Sequence, residues 1–153
     1  MMAILKHISP LISPELLKLL AEMGHGDTIA LCDSNYPAMS CDVPNRIRAD
    51  GLPMTGLLTN ILHHFPLDNF VRQPVTFMSV ADGDDYKPEI WSKYYALLDK
   101  YRIAGDQIEY LERMEFYRRV NTAYCVVATG ERQRYANIIL KKGIIEPTDE
   151  EVM

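Results

Sequence analysis

Residues 13–33, SPELLKLLAEMGHGDTIALCD, read as a helix, a joint and a strand. Ser13 is placed to cap the helix, Pro14 fits its first position, and Glu15 suits the positive end of the dipole. Leu16, Leu19, Leu20 and Met23 recur at i, i+3, i+4 and i+7, which makes one apolar stripe. Gly24 is expected to end the helix, as a residue that tolerates the left-handed conformation. TIALCD then reads as a short buried strand ending in an acid. The joint between them carries a titratable ring, His25, between two glycines.

Working outward, the same alternation continues. SNYPAMSCDVPN, residues 34–45, is a loop by its composition. GLPMTGLLTNILHHF predicts a second helix with Leu58, Ile61, Leu62 and Phe65 on one face, and VTFMSVAD a strand. KPEIWSKYYALLDKY predicts a third helix with Trp91, Tyr94, Leu98 and Tyr101 in register. QIEYLE is a strand, RMEFYRRVNTA a short helix, YCVVATG a strand and NIILKKG the last strand. The acidic tail from Ile144 is expected to fray at its end. Helices alternating with strands pack naturally as α/β layers, and residues 1–153 read as a single domain without repeat or linker.

Composition narrows the function. Apolar residues make up 48% and charged residues 24%, as in an ordinary globular protein. A net charge of −5 without a basic stripe argues against nucleic acid. No segment has the length or apolarity to enter a membrane as a span, and the N-terminus lacks a signal-peptide core. Cys32, Cys41 and Cys125 have no CxxC spacing, so they are expected as reduced, buried thiols of a cytoplasmic protein. Neither GxxxxGK[ST] nor GxGxxG is present, so nucleotide binding has no motif. His63 and His64 are adjacent on a helix and diverge by about 100°, too far to share a metal ion easily.

Several side chains invite two readings. His25 either rests on free carbonyls at the helix end or faces a ligand. Asp33 either opens an Asx turn or stands at the carboxyl end of a strand, where ligands of open α/β sheets gather. Residues 128–143, ATGERQRYANIILKKG, place Tyr135 and Asn137 between two apolar runs too close for another helix. That segment is either a hairpin-like connection with Tyr135 on the core or a loop offering a phenol and an amide to a sugar. Arg113, just past a strand end, is either a ligand donor or a surface arginine.

Taken together, ISPLISPELLKLLAEMGHGD, IRADGL, PLDNF, EFYRR and TGERQRYANIILKKG resemble the RbsD/FucU family of ribose pyranases and L-fucose mutarotases. The wording of SPELL…AEMGHGD, IRADGL and EFY is similar to the fucose branch, which carries arginine at the position of Arg113. The stretches DSNYPAMSCDVPN and ADGDDYKPEIW match least. The resemblance implies a three-layer α/β/α fold with a mixed, mostly parallel sheet. It implies catalysis by His25, and sugar contacts from Asp33, Arg113 and the Tyr135-Ala136-Asn137 loop. It also implies a cytoplasmic homo-oligomer, a decamer of stacked five-membered rings in bacterial members, with sugar sites near subunit boundaries.

The chemistry agrees with the residue types. Anomer exchange removes a proton from the anomeric hydroxyl, adds one to the ring oxygen, and reverses both on closure. No electron or group is lost, so neither cofactor nor metal is required. An imidazole with an unperturbed pKa near ~6.5 can donate or accept at neutral pH, and Tyr135 is a candidate partner. Tyr36 or Phe116 could offer an apolar wall to the methyl group of L-fucose. The joint is expected to bring His25 close to Asp33. Alternatives are pyranose–furanose exchange on ribose and a non-catalytic monosaccharide-binding protein.

Overall fold

In the computed structural model, which describes residues 4–149, helix α1 runs Pro14–Glu22 with the Ser13 side chain accepting the Leu16 amide. Its end differs from expectation. Met23 leaves the helix in extended backbone, and the left-handed residue is Gly26, with φ 89. Gly24 donates its amide to Asp27 Oδ2 at 2.7 Å. The free carbonyls of Leu20 and Met23 are taken by Lys142 Nζ at 2.7 and 2.6 Å, so His25 is not needed there.

Strand β1 (Thr28–Cys32) follows, then β2 (Asn45–Ala49), α2 (Met54–Leu62), β3 (Val75–Met78), α3 (Ile90–Asp99), β4 (Ile108–Leu111), α4 (Arg113–Val120), β5 (Cys125–Thr129) and β6 (Ile138–Lys141). The strand β2 carries no strong sequence signal. Only Ile47 of its five residues is buried, between two arginines, as suits an edge. Helix α4 is capped by Glu112, whose carboxylate accepts the Met114 and Glu115 amides. Helix α2 has proline at its cap, and Glu131 from the far loop accepts the Met54 amide instead.

The six strands lie in the order β2-β5-β1-β6-β3-β4. Strand β1 pairs parallel with β5, β5 with β2, and β3 with β4, while β6 runs antiparallel to both β1 and β3. Five strands therefore point one way and β6 alone is reversed, which gives the expected mixed, mostly parallel sheet. Strand side chains alternate between two cores. Ile29 and Leu31 join the leucines of α1 and α2 and Tyr94 of α3 on one face. Ala30 and Cys32 join Phe116 and Val120 of α4, with Tyr36 and Val43, on the other. Two cores around one sheet are the α/β/α sandwich. Each fully buried Leu or Phe is worth about 1.5–3 kcal/mol, so packing rather than helix propensity holds the layers.

Residues 128–143 do not form a hairpin. Strand β1 sits between β5 and β6, so the connection crosses the end of β1. All three cysteines are free and buried. The tail is described only as far as residue 149, and its last residues lie outside the description. Among the described residues no helix is long and apolar enough to cross a membrane.

Candidate active site

Reversal of β6 puts its amino end beside the carboxyl ends of the other five strands. Asp33 and the 130–137 connection meet at that edge, and Arg113 follows β4 on the same side of the sheet, three strands away from β1. The Asp33 amide donates to Asn137 Oδ1 at 2.8 Å, a bond between residues far apart in sequence. Asp33 Oδ1 accepts the Asn35 amide at 3.0 Å, so the Asx turn forms as well. Burial pushes the Asp33 carboxyl above its ordinary value, outweighing the amides of Asn35, Tyr36 and Ala136 that pull it down. Asn137 is only 4% exposed, and its Oδ1 is engaged by the Asp33 amide.

Tyr135 occupies left-handed backbone, φ 58, a conformation unusual for a bulky residue. Helix α3 holds it there. Trp91 Nε1 donates to the Tyr135 carbonyl at 2.8 Å, and the Tyr94 hydroxyl donates to the Ala136 carbonyl at 2.7 Å. The Tyr135 ring packs partly against the α4-side core. Its hydroxyl donates to Asp84 Oδ2 at 2.6 Å and accepts the Ala81 amide at 3.3 Å. Arg134 lies over the rings of Tyr86 and Tyr135 and pairs with Asp84. The hydrogen bonds and the Arg134 charge hold the Asp84 carboxyl below its ordinary value, led by the bond from Tyr135. Arg113 opens α4 exposed, without a side-chain hydrogen bond or ion pair among the described residues.

His25 lies elsewhere. It precedes β1, and its Nε2 faces Asp68 Oδ1 at 3.0 Å. The Asp68 side chain is 3% exposed and the imidazole 44%. The Phe70 amide donates to the same oxygen at 3.0 Å, and the Phe70 ring lies 5.1 Å from the imidazole. Burial works to raise the Asp68 carboxyl, yet the Phe70 amide, the His25 ring and the Lys141 charge together hold it below its ordinary value. Gly143 allows this packing, since a Cβ there would stand 2.6 Å from the Leu67 carbonyl. Asp68 is a functional candidate that sequence reading misses. Its signal is its place in PLDNF, one of the segments that carry the family resemblance, where an acid follows Leu67 directly.

The expectation that His25 and Asp33 lie close together is therefore corrected. Gly26, next to His25, bonds the Lys142 carbonyl at one end of β6, while Asp33 bonds Asn137 at the other. The five residues of β1 separate them, a span of about 17 Å at ~3.3 Å per residue. Phe116 is wholly buried in the core and offers no wall to a ligand, and Tyr36 is only 9% exposed, packed edge-on to Phe116 and Tyr117. His63 and His64 are both exposed. Among the described residues no three His, Cys, Asp or Glu side chains gather as a metal site.

The fold defines a three-layer α/β/α protein with one reversed strand and a cluster of polar, ligand-type groups at each end of β1. The chain belongs to the RbsD / FucU transport protein family, whose model matches residues 6–145. It is 46% identical over 140 residues to an L-fucose mutarotase of Actinobacillus pleuropneumoniae, covering 92% of this chain and 96% of that one. Among solved structures, the fucose mutarotase of Streptococcus pneumoniae in complex with L-fucose is 49% identical, with TM-score 0.88 over 93% of this chain and 100% of that one. RbsD of Bacillus subtilis complexed with D-ribose is more distant. It is 25% identical, with TM-score 0.70 over 94% of this chain and 100% of that one.

Proposed function

We propose that this chain is an L-fucose mutarotase, a cofactor-independent isomerase that interconverts the α and β anomers by opening and closing the sugar ring. One observation carries the reading: 49% identity along nearly the whole chain to a fucose mutarotase solved with L-fucose. The ribose-bound relative, at 25% identity, is a weaker guide.

His25 is the acid–base group in this reading. In ring opening one group takes the anomeric hydroxyl proton while another protonates the ring oxygen; closure returns both. Tyr135 is the second group, with its proton already directed at Asp84. Asp33, Arg113 and the Ala136-Asn137 backbone and amide hold the sugar hydroxyls, Asp33 as acceptor and Arg113 as donor. A span of about 17 Å is far longer than a monosaccharide, so one copy cannot bring His25 and Asp33 to the same sugar. The site is completed between copies of the chain. His25 of one protomer meets the Asp33 edge of its neighbour, in a homo-oligomer that can extend to a decamer. Three free thiols suit a cytoplasmic setting.

Saturation-transfer NMR on purified protein tests the reading. Anomer exchange of L-fucose is expected to accelerate more than any exchange of D-ribose. It should persist after exhaustive chelation and slow by about 10²-fold or more in His25→Ala. Faster pyranose–furanose exchange on ribose, with fucose untouched, would move the chain to the sibling reaction. Sugar binding without any exchange would make it a binding protein.

A further inference from the structure

We infer that Asp68 is a positioning residue that keeps the proton of His25 on Nε2 and so makes Nδ1 the atom that exchanges protons with the sugar. The inference rests on the mutarotase reading and deepens it at one atom. Nothing in the sequence links the two residues, which stand 43 positions apart and meet only because the segment before β3 packs against the joint before β1.

An ionised carboxylate can only accept, so at 3.0 Å from Oδ1 the His25 Nε2 must carry a hydrogen. In the neutral ring Nδ1 is then bare, a base. In the protonated ring Nδ1–H is the acid. Both proton transfers therefore occur at one point in space, which suits a reaction that runs forward and back through the same group.

Three features make the pair more than a chance contact. Asp68 is 3% exposed, so water cannot readily replace the imidazole as its partner. The Phe70 amide donates to the same Oδ1 and turns the carboxylate toward the ring. The Phe70 side chain is 67% exposed yet lies against the imidazole at 5.1 Å, hindering rotation of the ring. The ring itself remains 44% exposed, which leaves it open to a ligand on the side away from Asp68.

The test is tautomer and rate measured on the full chain. Magic-angle-spinning NMR with 15N-labelled histidine reads which nitrogen is protonated, and His25→Ala identifies the signal. The neutral wild-type ring is expected to show Nε2–H with bare Nδ1. In Asp68→Asn the carboxamide can donate to Nε2, so the Nδ1–H tautomer should appear. There kcat should fall by about 10²-fold, the cost of a misplaced reacting group, while KM stays within about twofold. A purely structural pair would lower the folded fraction but leave kcat per folded protomer, counted by saturating sugar binding, at the wild-type value. An Nδ1–H wild-type ring overturns the inference, as does Asp68→Asn with wild-type kcat. If Asp68→Asn does not fold, the wild-type tautomer decides alone. Failure of the functional reading looks different: His25→Ala would then exchange L-fucose at the wild-type rate, whatever the tautomer.

Discussion

Asp33 and Asp68 are both nearly buried, at 5% and 3% exposure, yet their carboxyls shift in opposite directions. Burial dominates at Asp33 and raises it. At Asp68 the Phe70 amide, His25 and Lys141 outweigh burial and lower it. The linkage follows these signs. Asp68 contributes stability that is complete above the ordinary value of 3.8 and is lost as pH falls through its lowered folded value. Asp33 favours the fold when protonated, and that contribution is lost as pH rises through its raised value. Asp68→Asn should therefore cost about 1–2 kcal/mol near neutral pH, the worth of a charge-assisted hydrogen bond to a part-exposed partner. Urea midpoints of wild type and variant should differ most above pH 3.8 and converge in stronger acid. A gap that stays constant across the range would mean that His25 and the Phe70 amide do not read the charge of Asp68.

At the scale of elements, the connection between β5 and β6 does the assembling. Because β1 lies between those strands, the connection must cross the mouth of β1, and Asn137 meets Asp33 there. Two aromatic side chains of α3 hold its left-handed bend through the carbonyls of Tyr135 and Ala136. The loop after β3 closes on the same point, with Asp84 accepting from Tyr135 and Arg134. If Tyr135 and Asp84 form one proton path, Tyr135→Phe and Asp84→Asn should each slow exchange by about tenfold or more. The double variant should be no slower than the worse single one, as expected for groups acting as a unit. Losses that multiply would separate the two residues, leaving Asp84 as a loop tether only.

For the whole molecule the decisive fact is that the two polar clusters lie at opposite ends of one short strand. A site that needs both requires a second copy, and a closed ring gives every site the same pair of neighbours. Subunit mixing tests this directly. His25→Ala and Asp33→Ala subunits are each expected to be nearly inactive alone. Mixed in equal amounts after dissociation, they should return activity in about one quarter of the sites, the chance of pairing an intact His25 with an intact Asp33 across a random boundary. A site contained within one chain would return none. Light scattering should show one oligomer throughout, and a fully active monomer would defeat the composite site.

Sequence by itself determined the elements with strong local cause. Ser13 and Pro14 start α1, the leucine spacing of α1 and α2 sets their buried faces, and short, largely apolar runs mark β1, β3, β5 and β6. These signals act over a few residues, so a linear reading finds them. It also found His25, Asp33 and Tyr135 as candidates, because each sits where an apolar pattern stops. Edge strand β2 was hidden because an edge strand half covered with arginines needs little apolar pattern. Only the tertiary structure decided which candidates meet. The order of strands, the reversal of β6 and the pairing of Asp68 with His25 come from long-range burial and hydrogen bonding. Backbone spacing along β1 then fixes the distance between His25 and Asp33, a quantity no local pattern carries, because it depends on the joint and the acid lying at opposite ends of one extended segment.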